Sequence, residues 1–537
     1  MKEVRGFYRE ILKNSKDGFV LLKSSDEYFN CHYKGSALNV LTGFSGTAGE
    51  ALIDYEGNIT IFVDPRYHEQ ADFETKGKNV EVVKLKQGEG FVKSIAKKVN
   101  KNELFVSNSI SFLFYKKLQQ EGLKLSVYDD FKGVFENKNV NLKKEIFSVQ
   151  GKNNKSELIK KHVNTRYYLV NSLEQIAWLC NLRSFQMVEN STFKAKLLLD
   201  FKGKNILFCD EEIKNIPDGY KVLPLADFEK KIRSIKDEIA LLENSITYGD
   251  FNLIKKPVVL KKDYVAKYAS IKEKLELEHY KSAFFRLDCA LKSFKSKIKA
   301  GLSEYELKEI FEKELLKFGA KTTSFKTILA IADNSSSIHY SNYDKNKILK
   351  EGDLIMLDCG GYYEMGLATD ITRVFLCGSK ATKKQKEIYT AVLKAFLRSY
   401  HSEAKDGSEL DKIARKVLKP YEKEGFYFPH ALGHGIGVPV HQAPPVITSF
   451  GDKKFALYKN MTHTIEPGLY CSKKPNKFGI RLENSVFVTG RGKRESFSHF
   501  EFEEKLIERD LLTKKEQKWL DEWNRTWMVL SEKCIEK

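Results

Sequence analysis

A fourteen-residue pattern that occurs twice constrains the fold of this chain more than any other feature. Residues 51–64 read ALIDYEGNITIFVD, and residues 197–210 read LLLDFKGKNILFCD. Each copy is an apolar run ending in Asp, a turn with glycine, and a second apolar run ending in Asp, which is the pattern of a β-hairpin. Two matched hairpins this far apart indicate two related domains in tandem, which we place at 1–136 and 137–262. The linker is expected in the polar segment 148–156 or in the Lys-rich segment just before it.

From about residue 263 the pattern changes to longer helices. Apolar residues recur at steps of three and four over 277–294, which predicts one buried helix face. A similar helix pair follows at 386–425, and strand-like runs lie between and after the pairs. Residues in capping positions mark the starts of two of these helices: Ser303 with Glu306, and Ser408 with Asp411. We therefore predict one α+β domain with internal pseudo-symmetry over 263–537.

The C-terminal segment carries three of the four tryptophans. Trp519, Trp523 and Trp527 stand four residues apart, after a capping box formed by Thr513 and Glu516. This spacing predicts an aromatic stripe along one face of a terminal helix. We expect the stripe to pack on the preceding domain, and a contact between subunits is the alternative.

The basic charge of the chain does not indicate a nucleic-acid-binding protein. There are 91 Lys and Arg against 72 Asp and Glu, a net charge of +19, and a surplus of this size can mark such a protein. Here the lysines are spread along the chain with acidic residues between them, without a dense arginine-rich run. We expect a solvated basic surface, with binding of a polyanion or an acidic substrate as the alternative.

The cysteine spacing and the lengths of the apolar runs indicate the cellular compartment in which we expect the protein. The N-terminal residues contain no apolar core of signal-peptide length, and no run of about 18 apolar residues occurs in the chain. No two cysteines form a CxxC pair; the eight stand at positions 31, 180, 209, 289, 359, 377, 471 and 534. We expect a cytoplasmic protein in a reducing environment, without a membrane span.

Acidic residues at the ends of apolar runs predict a metal site. Asp358 ends the run LIMLD, and Asp370 opens the run DITRVF. A hairpin would bring both carboxylates together, and two buried like charges are costly unless a cation neutralises them. Three further donors complete a set that suits two ions such as Mn²⁺, Co²⁺, Fe²⁺ or Zn²⁺: His434, Glu466 and Glu483. Each residue alone is more often an ordinary turn or loop residue, so the prediction depends on the joint pattern.

That joint pattern resembles the metallopeptidase family with the pita-bread fold, and within it aminopeptidase P, also called Xaa-Pro aminopeptidase. The matching stretches are SIHYSN, LDCGGYYEMGLATDITRVF, HALGHGIGVPVHQAP, TIEPGLY and GIRLENSVFVT. The resemblance extends to the long, three-domain form through VLTGFSGTAGEALID, VDPRYHEQADFE, SLEQIAWLCNLRS and the tail LLTKKEQKWLDEWN. It implies two tandem creatinase-type α/β domains, followed by a pita-bread α+β catalytic domain with a C-terminal extension from about residue 497.

The resemblance also implies roles for individual residues. Five are expected to hold two divalent metal ions, Mn²⁺ first and Co²⁺ or Zn²⁺ as alternatives: Asp358, Asp370, His434, Glu466 and Glu483. Asp370 and Glu483 would bridge the two ions. Three histidines fall where the family has residues that neighbour the metals or contact substrate: His339, His430 and His441.

The implied activity is removal of the first residue from peptides whose second residue is proline. We expect a hydroxide bridging the metals to attack the carbonyl carbon before proline, and Glu466 to pass a proton to the proline nitrogen. His441 and His339 would donate to the developing oxyanion or the substrate backbone, although both could be ordinary loop histidines. His430 is expected to line the proline pocket. The resemblance also implies a homodimer formed through the catalytic domain.

Two other functions are compatible with the same metal residues. A prolidase would cleave only Xaa-Pro dipeptides, and a non-catalytic pita-bread module would bind peptides, histones or nucleic acid. The second kind would be expected to lose metal ligands, whereas all five are present here.

The sequence departs from the family pattern at three places. The Asp358 to Asp370 spacing is twelve rather than eleven, and we expect the extra residue in the hairpin as a bulge near Gly361. Gln442 stands where an acidic residue is usual. The interval of seven between His434 and His441 is shorter than in long-form members.

Overall fold

The structure is a computed structural model that describes residues 2–25, 28, 36–86, 88–129, 145–451 and 454–534. The predicted domain boundary near 136, most of the Lys-rich linker before 148, and Cys31 lie outside these ranges. The chain forms two compact units. The first comprises Met1–Ser148, Lys152–Gln186 and Thr192–Val265; the second comprises Val149–Gly151, Met187–Ser191 and Ala266–Lys537. The two boundaries between the three domains drawn from the sequence stay a prediction.

The first unit contains two six-stranded sheets with equivalent strand order. In each sheet, three central strands pair antiparallel and parallel strands flank them on both sides. The first sheet runs, in spatial order, Val80–Lys84, Ile59–Val63, Gly49–Ile53, Phe19–Lys23, Glu103–Ser107 and Lys124–Tyr128. The second runs Tyr220–Leu223, Asn205–Phe208, Lys196–Asp200, Tyr167–Val170, Ile239–Leu241 and Pro257–Val259. The two predicted hairpins occupy matching positions in these sheets, which confirms the duplication.

Helices cover the apolar faces of both sheets. The central strands are buried on both faces, so they read as continuous apolar runs rather than as alternating ones. The helices of this unit are Lys2–Leu12, Ala37–Thr42, His68–Glu74, Phe91–Val99, Phe112–Gln120, Lys155–Lys160, Leu173–Cys180, Phe228–Ser234 and Tyr248–Asn252, and Tyr264–Ala269 lies at its end. Short 3-10 turns occupy Pro65–Tyr67, Leu225–Asp227 and Glu243–Ser245, and a small strand pair joins Phe147–Ser148 to Leu182–Arg183.

A cavity of about 190 Å³ in the first unit is lined in part by the carboxyl group of Glu50. Glu50 lies directly opposite Lys23 on the neighbouring strand. The Lys23 ammonium instead donates to the carbonyl (2.8 Å) and hydroxyl (2.5 Å) oxygens of Ser109. Although part of the Glu50 side chain reaches solvent, its Oε2 atom is buried and accepts no hydrogen bond from the described residues. Burial therefore raises the pKa of Glu50 to about 8, and the Lys23 charge only partly opposes this.

Glu50→Gln is expected to stabilise the protein increasingly as the pH rises from 5 to 9. Because the folded-state pKa lies above the unfolded value, the protonated carboxyl contributes stability that is fully present below about pH 4.5 and lost as the pH rises through about 8. At pH 9 the variant should exceed the wild type by about 1–3 kcal/mol, because a buried carboxylate without a partner costs more than the neutral amide that replaces it. Urea unfolding at pH 5, 7 and 9 measures this. Glu56→Gln, at an exposed turn, is the control; an equal gain at pH 5 and 9 would contradict the explanation.

The second unit contains two helix pairs and two three-stranded antiparallel sheets. The helix pairs are Lys274–Lys297 with Glu304–Lys317, and Lys383–Tyr400 with Gly407–Leu418. The sheets are Ile328–Ile331, Leu354–Cys359 and Ile371–Leu376, and then Thr462–Ile465, Asn484–Gly490 and Lys493–Ser496. This arrangement agrees with the predicted pseudo-symmetry. The remaining elements are strands Thr322–Thr323, Gly361–Tyr362, Gly433–His434, Val446–Ile447, Gly468–Cys471 and Phe478–Arg481, and 3-10 turns Ala332–Ser336, Lys419–Glu424, Glu504–Leu506 and Arg509–Leu511.

One predicted helix cap is confirmed and another is wrong. Ser303 and Glu306 form the expected capping box. Ser408 and Asp411 lie within the helix Gly407–Leu418 and do not cap it, because Asp406 is the N-cap and its side chain accepts from the Glu409 N–H. The Asp411 carboxylate binds the Arg415 guanidinium (2.7 Å) instead.

The terminal helix Lys514–Ser531 packs on the second unit. Its capping box of Thr513 and Glu516 is present as predicted. Trp523 and Trp527 are buried, and Trp523 contacts the rings of Phe396, Tyr400, His499 and Phe502. The aromatic stripe is therefore part of the core of this unit, as the first interpretation expected.

The structure joins Cys289 and Cys534 in a disulfide bond. This pairing was not predicted, since a reducing environment keeps thiols reduced. It links the helix Lys274–Lys297 to the residues that follow the terminal helix. Within the described part of the chain, no helix combines the length and the apolar character needed to cross a bilayer.

Candidate metal centre

The hairpin that carries Asp358 and Asp370 pairs in regular register. Leu354–Cys359 runs antiparallel to Ile371–Leu376, with Asp358 opposite Thr372. The pairing continues without a shift to Tyr362 opposite Ala368. The expected bulge near Gly361 is therefore wrong: the extra residue lies in the turn that follows Tyr362, where Gly366 has a φ of +59° and its N–H donates to the Tyr363 carbonyl (2.9 Å). Glycine at 366 allows this backbone conformation without a steric penalty.

His434 and Glu466 are held together by one threonine. The His434 backbone N–H donates to the Thr464 hydroxyl oxygen (3.1 Å), and that hydroxyl donates to Glu466 Oε1 (3.1 Å). Gly433 makes this approach possible, because a Cβ there would lie 2.2 Å from the Thr464 carbonyl oxygen. The sequence GH next to the strand THTIE therefore places an imidazole beside a carboxylate.

Glu483 is tied to the same hairpin that carries the two aspartates. Its backbone N–H donates to the Thr372 carbonyl oxygen (3.1 Å), and the Thr372 hydroxyl donates to Glu483 Oε2 (2.7 Å). Thr372 is the register partner of Asp358, so one residue connects two of the predicted metal ligands.

These elements bring the predicted ligand side chains to one place. Ligand atoms of Asp370, His434 and Glu483 all lie within 4.8 Å of one another. His434 Nε2 is 3.5 Å from Asp370 Oδ2 and 3.5 Å from Glu466 Oε1. Because His434 Nδ1 donates to the Gly435 carbonyl (3.0 Å), the Nε2 lone pair faces the carboxylates. This is the orientation that a metal-binding imidazole requires.

The buried carboxylates of the cluster repel one another, and a bound cation would neutralise them. Burial raises the pKa of Asp370 and Glu483 well above their ordinary values, and the neighbouring carboxylates raise both further. Burial also raises the pKa of Glu466, and the charge of Asp358 adds to the rise in all three. Asp358 Oδ1 is buried and accepts no hydrogen bond from any described residue. Four crowded carboxylates, one bare imidazole nitrogen and an unused buried oxygen fit divalent metal ions.

Arg481 belongs to the site although the sequence interpretation did not single it out. This fully buried guanidinium donates to Asp358 Oδ2 (2.6 Å) and to the Tyr470 hydroxyl (2.6 Å). It also donates to Thr372 Oγ1 (3.2 Å). A usable signal was present, because Arg481 precedes Glu483 by two residues and side chains two apart on extended backbone share a face.

Two of the three predicted histidines, His430 and His441, lie beside the cluster, and the third, His339, is linked to it through the residue that precedes it. The His441 and His434 rings are 4.2 Å apart between centroids. His430 Nδ1 is 3.8 Å from Glu466 Oε2, but it donates to the Ala431 carbonyl (2.8 Å), while its Nε2 meets the Tyr470 hydroxyl (3.0 Å). His339 follows Ile338, whose carbonyl oxygen accepts from Arg481 (3.3 Å). Their catalytic roles stay predictions.

Gln442 replaces the acidic residue that the family pattern led us to expect. Its Oε1 accepts from Lys272 Nζ (2.8 Å), and both side chains are buried. Lys272 Nζ also donates to the Ala269 carbonyl (2.6 Å). The amide oxygen thus supplies the acceptor that a carboxylate could supply, so the departure leaves the hydrogen bond intact.

Comparisons with known proteins identify the domains and the family of this chain. The family model for metallopeptidase family M24 matches residues 278–490, and two models for the creatinase/prolidase N-terminal domain match residues 9–137 and 135–276. The Xaa-Pro dipeptidase of Pyrococcus horikoshii is 34% identical over 292 residues, covering 53% of this chain and 79% of that protein.

Two solved structures are similar as well. One is the X-prolyl aminopeptidase of Caenorhabditis elegans, described as a cytosolic enzyme with a di-nuclear active site; it has a TM-score of 0.83 at 20% identity and covers 96% of this chain and 92% of that one. The X-Pro aminopeptidase of Thermotoga maritima has a TM-score of 0.53 at 26% identity, over 64% and 95% of the two chains. The predicted fold class, two creatinase-type domains and a pita-bread domain, is confirmed. This chain belongs to metallopeptidase family M24.

Proposed function

We propose that this chain is a two-metal aminopeptidase that hydrolyses the bond between an N-terminal residue and a penultimate proline. The observation that carries the proposal is the convergence of four carboxylates and one imidazole in a buried cluster. Under the proposal, two divalent ions are held by Asp358, Asp370, His434, Glu466 and Glu483, with Mn²⁺ as the first expectation.

The architecture favours an aminopeptidase over a prolidase. The C. elegans X-prolyl aminopeptidase shares the fold along nearly the whole chain, both N-terminal domains included. The P. horikoshii prolidase and the T. maritima X-Pro aminopeptidase correspond to 65% and 64% of this chain, so the support for an aminopeptidase comes from the match along the whole chain to the C. elegans enzyme. Because the 34% identical relative is itself named a dipeptidase, cleavage of Xaa-Pro dipeptides is the second candidate.

The metal ions, when bound, would lower the pKa of water toward neutrality and polarise the scissile carbonyl. Glu466 would take a proton at a carboxylate oxygen and release it to the proline nitrogen. Thr464, which donates to Glu466 Oε1, would keep that carboxylate oriented. His441, whose ring lies beside that of His434, would donate to substrate.

His430 is better suited to shaping the pocket than to moving protons. Its Nδ1 donates to the Ala431 carbonyl, so its Nε2 accepts from the Tyr470 hydroxyl, which in turn accepts from Arg481. Both ring nitrogens are therefore engaged in a chain of hydrogen bonds that starts at a permanent cation. We assign His430 to the wall of the proline pocket.

A peptide panel that varies only the second residue tests the proposal. Tripeptides Ala-Pro-Ala, Ala-Ala-Ala and Ala-Gly-Ala are offered to protein that has been chelated and reloaded with Mn²⁺, Co²⁺ or Zn²⁺. We expect release of the first residue from the proline peptide at least about 100-fold faster than from the others, since proline lacks the N–H that general peptidases bind and fixes φ.

Two further substrates separate the candidates. The dipeptide Ala-Pro beside Ala-Pro-Ala distinguishes a prolidase, which would cleave only the former, and acetyl-Ala-Pro-Ala checks that a free N-terminus is required. Equal cleavage of all second residues would contradict proline specificity, and no cleavage with any of the three metals would contradict the enzymatic proposal. A cytoplasmic location and a homodimer complete the proposal; analytical ultracentrifugation of the full chain tests the dimer.

A further inference from the structure

The second unit contains a buried carboxylate outside the metal cluster that organises a whole segment. Glu304 is the first residue of the helix Glu304–Lys317 and is fully buried. It accepts hydrogen bonds from four donor groups of the segment 331–344: the Ile331 N–H (2.8 Å), Asn334 Nδ2 (3.1 and 3.3 Å to the two oxygens), the Tyr340 hydroxyl (2.5 Å) and the Asp344 N–H (2.9 Å).

These four donors stand on both sides of His339. Two precede it in the chain and two follow it, so the carboxylate closes the segment into a loop with His339 between the fixed points. An ionised carboxylate accepts hydrogen bonds about twice as strongly as a neutral group. Glu304 therefore restrains both ends of the stretch that carries this histidine.

The middle of the same segment is attached to the metal cluster. The Ser335 hydroxyl accepts from the Gly479 N–H (2.9 Å), and the Ile338 carbonyl accepts from Arg481 Nη1 (3.3 Å). Arg481 in turn donates to Asp358. The segment 331–344 thus lies between a carboxylate that holds its ends and a guanidinium that holds a predicted metal ligand.

Helix capping does not account for Glu304. The helix already has its capping box, since Ser303 Oγ accepts from the Glu306 N–H (3.2 Å) and Glu306 Oε2 accepts from the Ser303 N–H (2.8 Å). Burying a carboxylate is costly unless several donors satisfy it. The hydrogen bonds from the four donors of the segment offset that cost, so the buried carboxylate serves to hold the segment in place.

We propose that Glu304 is a positioning residue that fixes the segment 331–344, and with it His339, at the metal centre. The proposal rests on the proposed function in so far as His339 acts on the substrate. It assigns Glu304 no contact with substrate or metal. Its effect on the rate passes through the segment.

A double-mutant cycle tests this coupling. Glu304→Gln keeps one acceptor oxygen but turns an NH₂ group toward groups that donate, and we expect kcat/KM for Ala-Pro-Ala to fall about 10- to 100-fold. In a His339→Ala background the same change should cost less than about threefold, because the residue being positioned is gone. Glu306→Gln, two residues further along the same helix and still able to cap, should change kcat/KM less than about twofold. Full multiplication of the two single effects would overturn the proposal.

Hydrogen exchange of the metal-loaded protein gives a readout independent of activity. We expect Glu304→Gln to speed amide exchange in 331–344 at least about tenfold, with the number of Mn²⁺ ions bound per chain unchanged. If Glu304→Gln does not fold, Tyr340→Phe removes one donor instead. This variant should also speed amide exchange in 331–344, by a smaller factor, and leave the number of bound Mn²⁺ ions unchanged. Unchanged exchange in both variants that fold overturns the proposal. If the wild type cleaves no Xaa-Pro peptide, the proposed function fails, while faster exchange in 331–344 still supports the positioning role.

Discussion

Glu483→Ala is expected to lower kcat/KM for Xaa-Pro peptides by about 10³-fold or more and to abolish tight metal binding in the same protein. The carboxylate lies within 4.8 Å of the ligand atoms of Asp370 and His434, so its loss removes a donor that both ions would share. Metal content after gel filtration, measured by elemental analysis, should fall together with activity. Mn²⁺ should raise the thermal midpoint of the wild type and leave that of the variant unchanged.

The stability of the metal-depleted variant separates this explanation from misfolding. Burial and three neighbouring carboxylates raise the pKa of Glu483, so its removal relieves repulsion when no metal is present. The chelated Glu483→Ala protein should therefore be at least as stable as the chelated wild type. Glu495→Ala, at an exposed position on the adjacent strand, is the matched control and should keep both metal and activity. Full activity in a metal-free Glu483→Ala protein would defeat the ligand assignment.

Short-range patterns predicted much of the fold. The two hairpins could be predicted, and are confirmed, because each consists of two apolar runs and a glycine turn that all lie within fourteen residues. The capping box of Ser303 and Glu306 is confirmed for the same reason, since both partners lie within one turn. The start of the helix Gly407–Leu418 was misplaced by two residues, because Asp406, Ser408 and Asp411 all have side chains that can cap. The Asp411 carboxylate is engaged instead by the distant Ser449, whose backbone N–H and hydroxyl both donate to it.

The residues of the candidate site also fall into those that local sequence patterns could predict and those that depend on distant contacts. Asp358, Asp370, His434, Glu466 and Glu483 could be predicted because unusual polar residues stand at the ends of apolar runs and together match a family pattern. Arg481 and Glu304 were missed because their partners are distant in the chain: Arg481 binds Asp358, and Glu304 binds a segment that begins at Ile331. A charged residue in an apolar run can face solvent or a buried partner, and sequence spacing alone does not distinguish the two.

Arg481→Met is expected to lower the free energy of unfolding of the chelated protein by about 3–5 kcal/mol, the typical cost of removing one partner of a buried ion pair. The guanidinium donates to Asp358 and to three further acceptors, and an unbranched methionine side chain, which has no hydrogen-bond donor, satisfies none of them. Because Asp358 would also lose its orientation, kcat should fall by about 10- to 100-fold even with saturating Mn²⁺. Arg481→Lys keeps the charge but not the fork of donors, so it should recover part of the stability and little of the rate.

The stability of the Arg481→Met protein with and without metal tests whether the guanidinium acts by neutralising the carboxylate cluster. If its charge neutralises the carboxylate cluster, Mn²⁺ should supply part of the missing positive charge and reduce the stability deficit relative to the chelated state. Arg494 offers a matched control, since it is also buried but donates to the carbonyl oxygens of Ser402 (2.9 Å) and Ala404 (2.7 Å) rather than to a carboxylate. Arg494→Met should lose stability by an amount that Mn²⁺ does not change. Urea unfolding with EDTA and with Mn²⁺ gives both comparisons, and equal deficits of Arg481→Met in the two conditions would show that Arg481 acts through packing and hydrogen bonds rather than through charge.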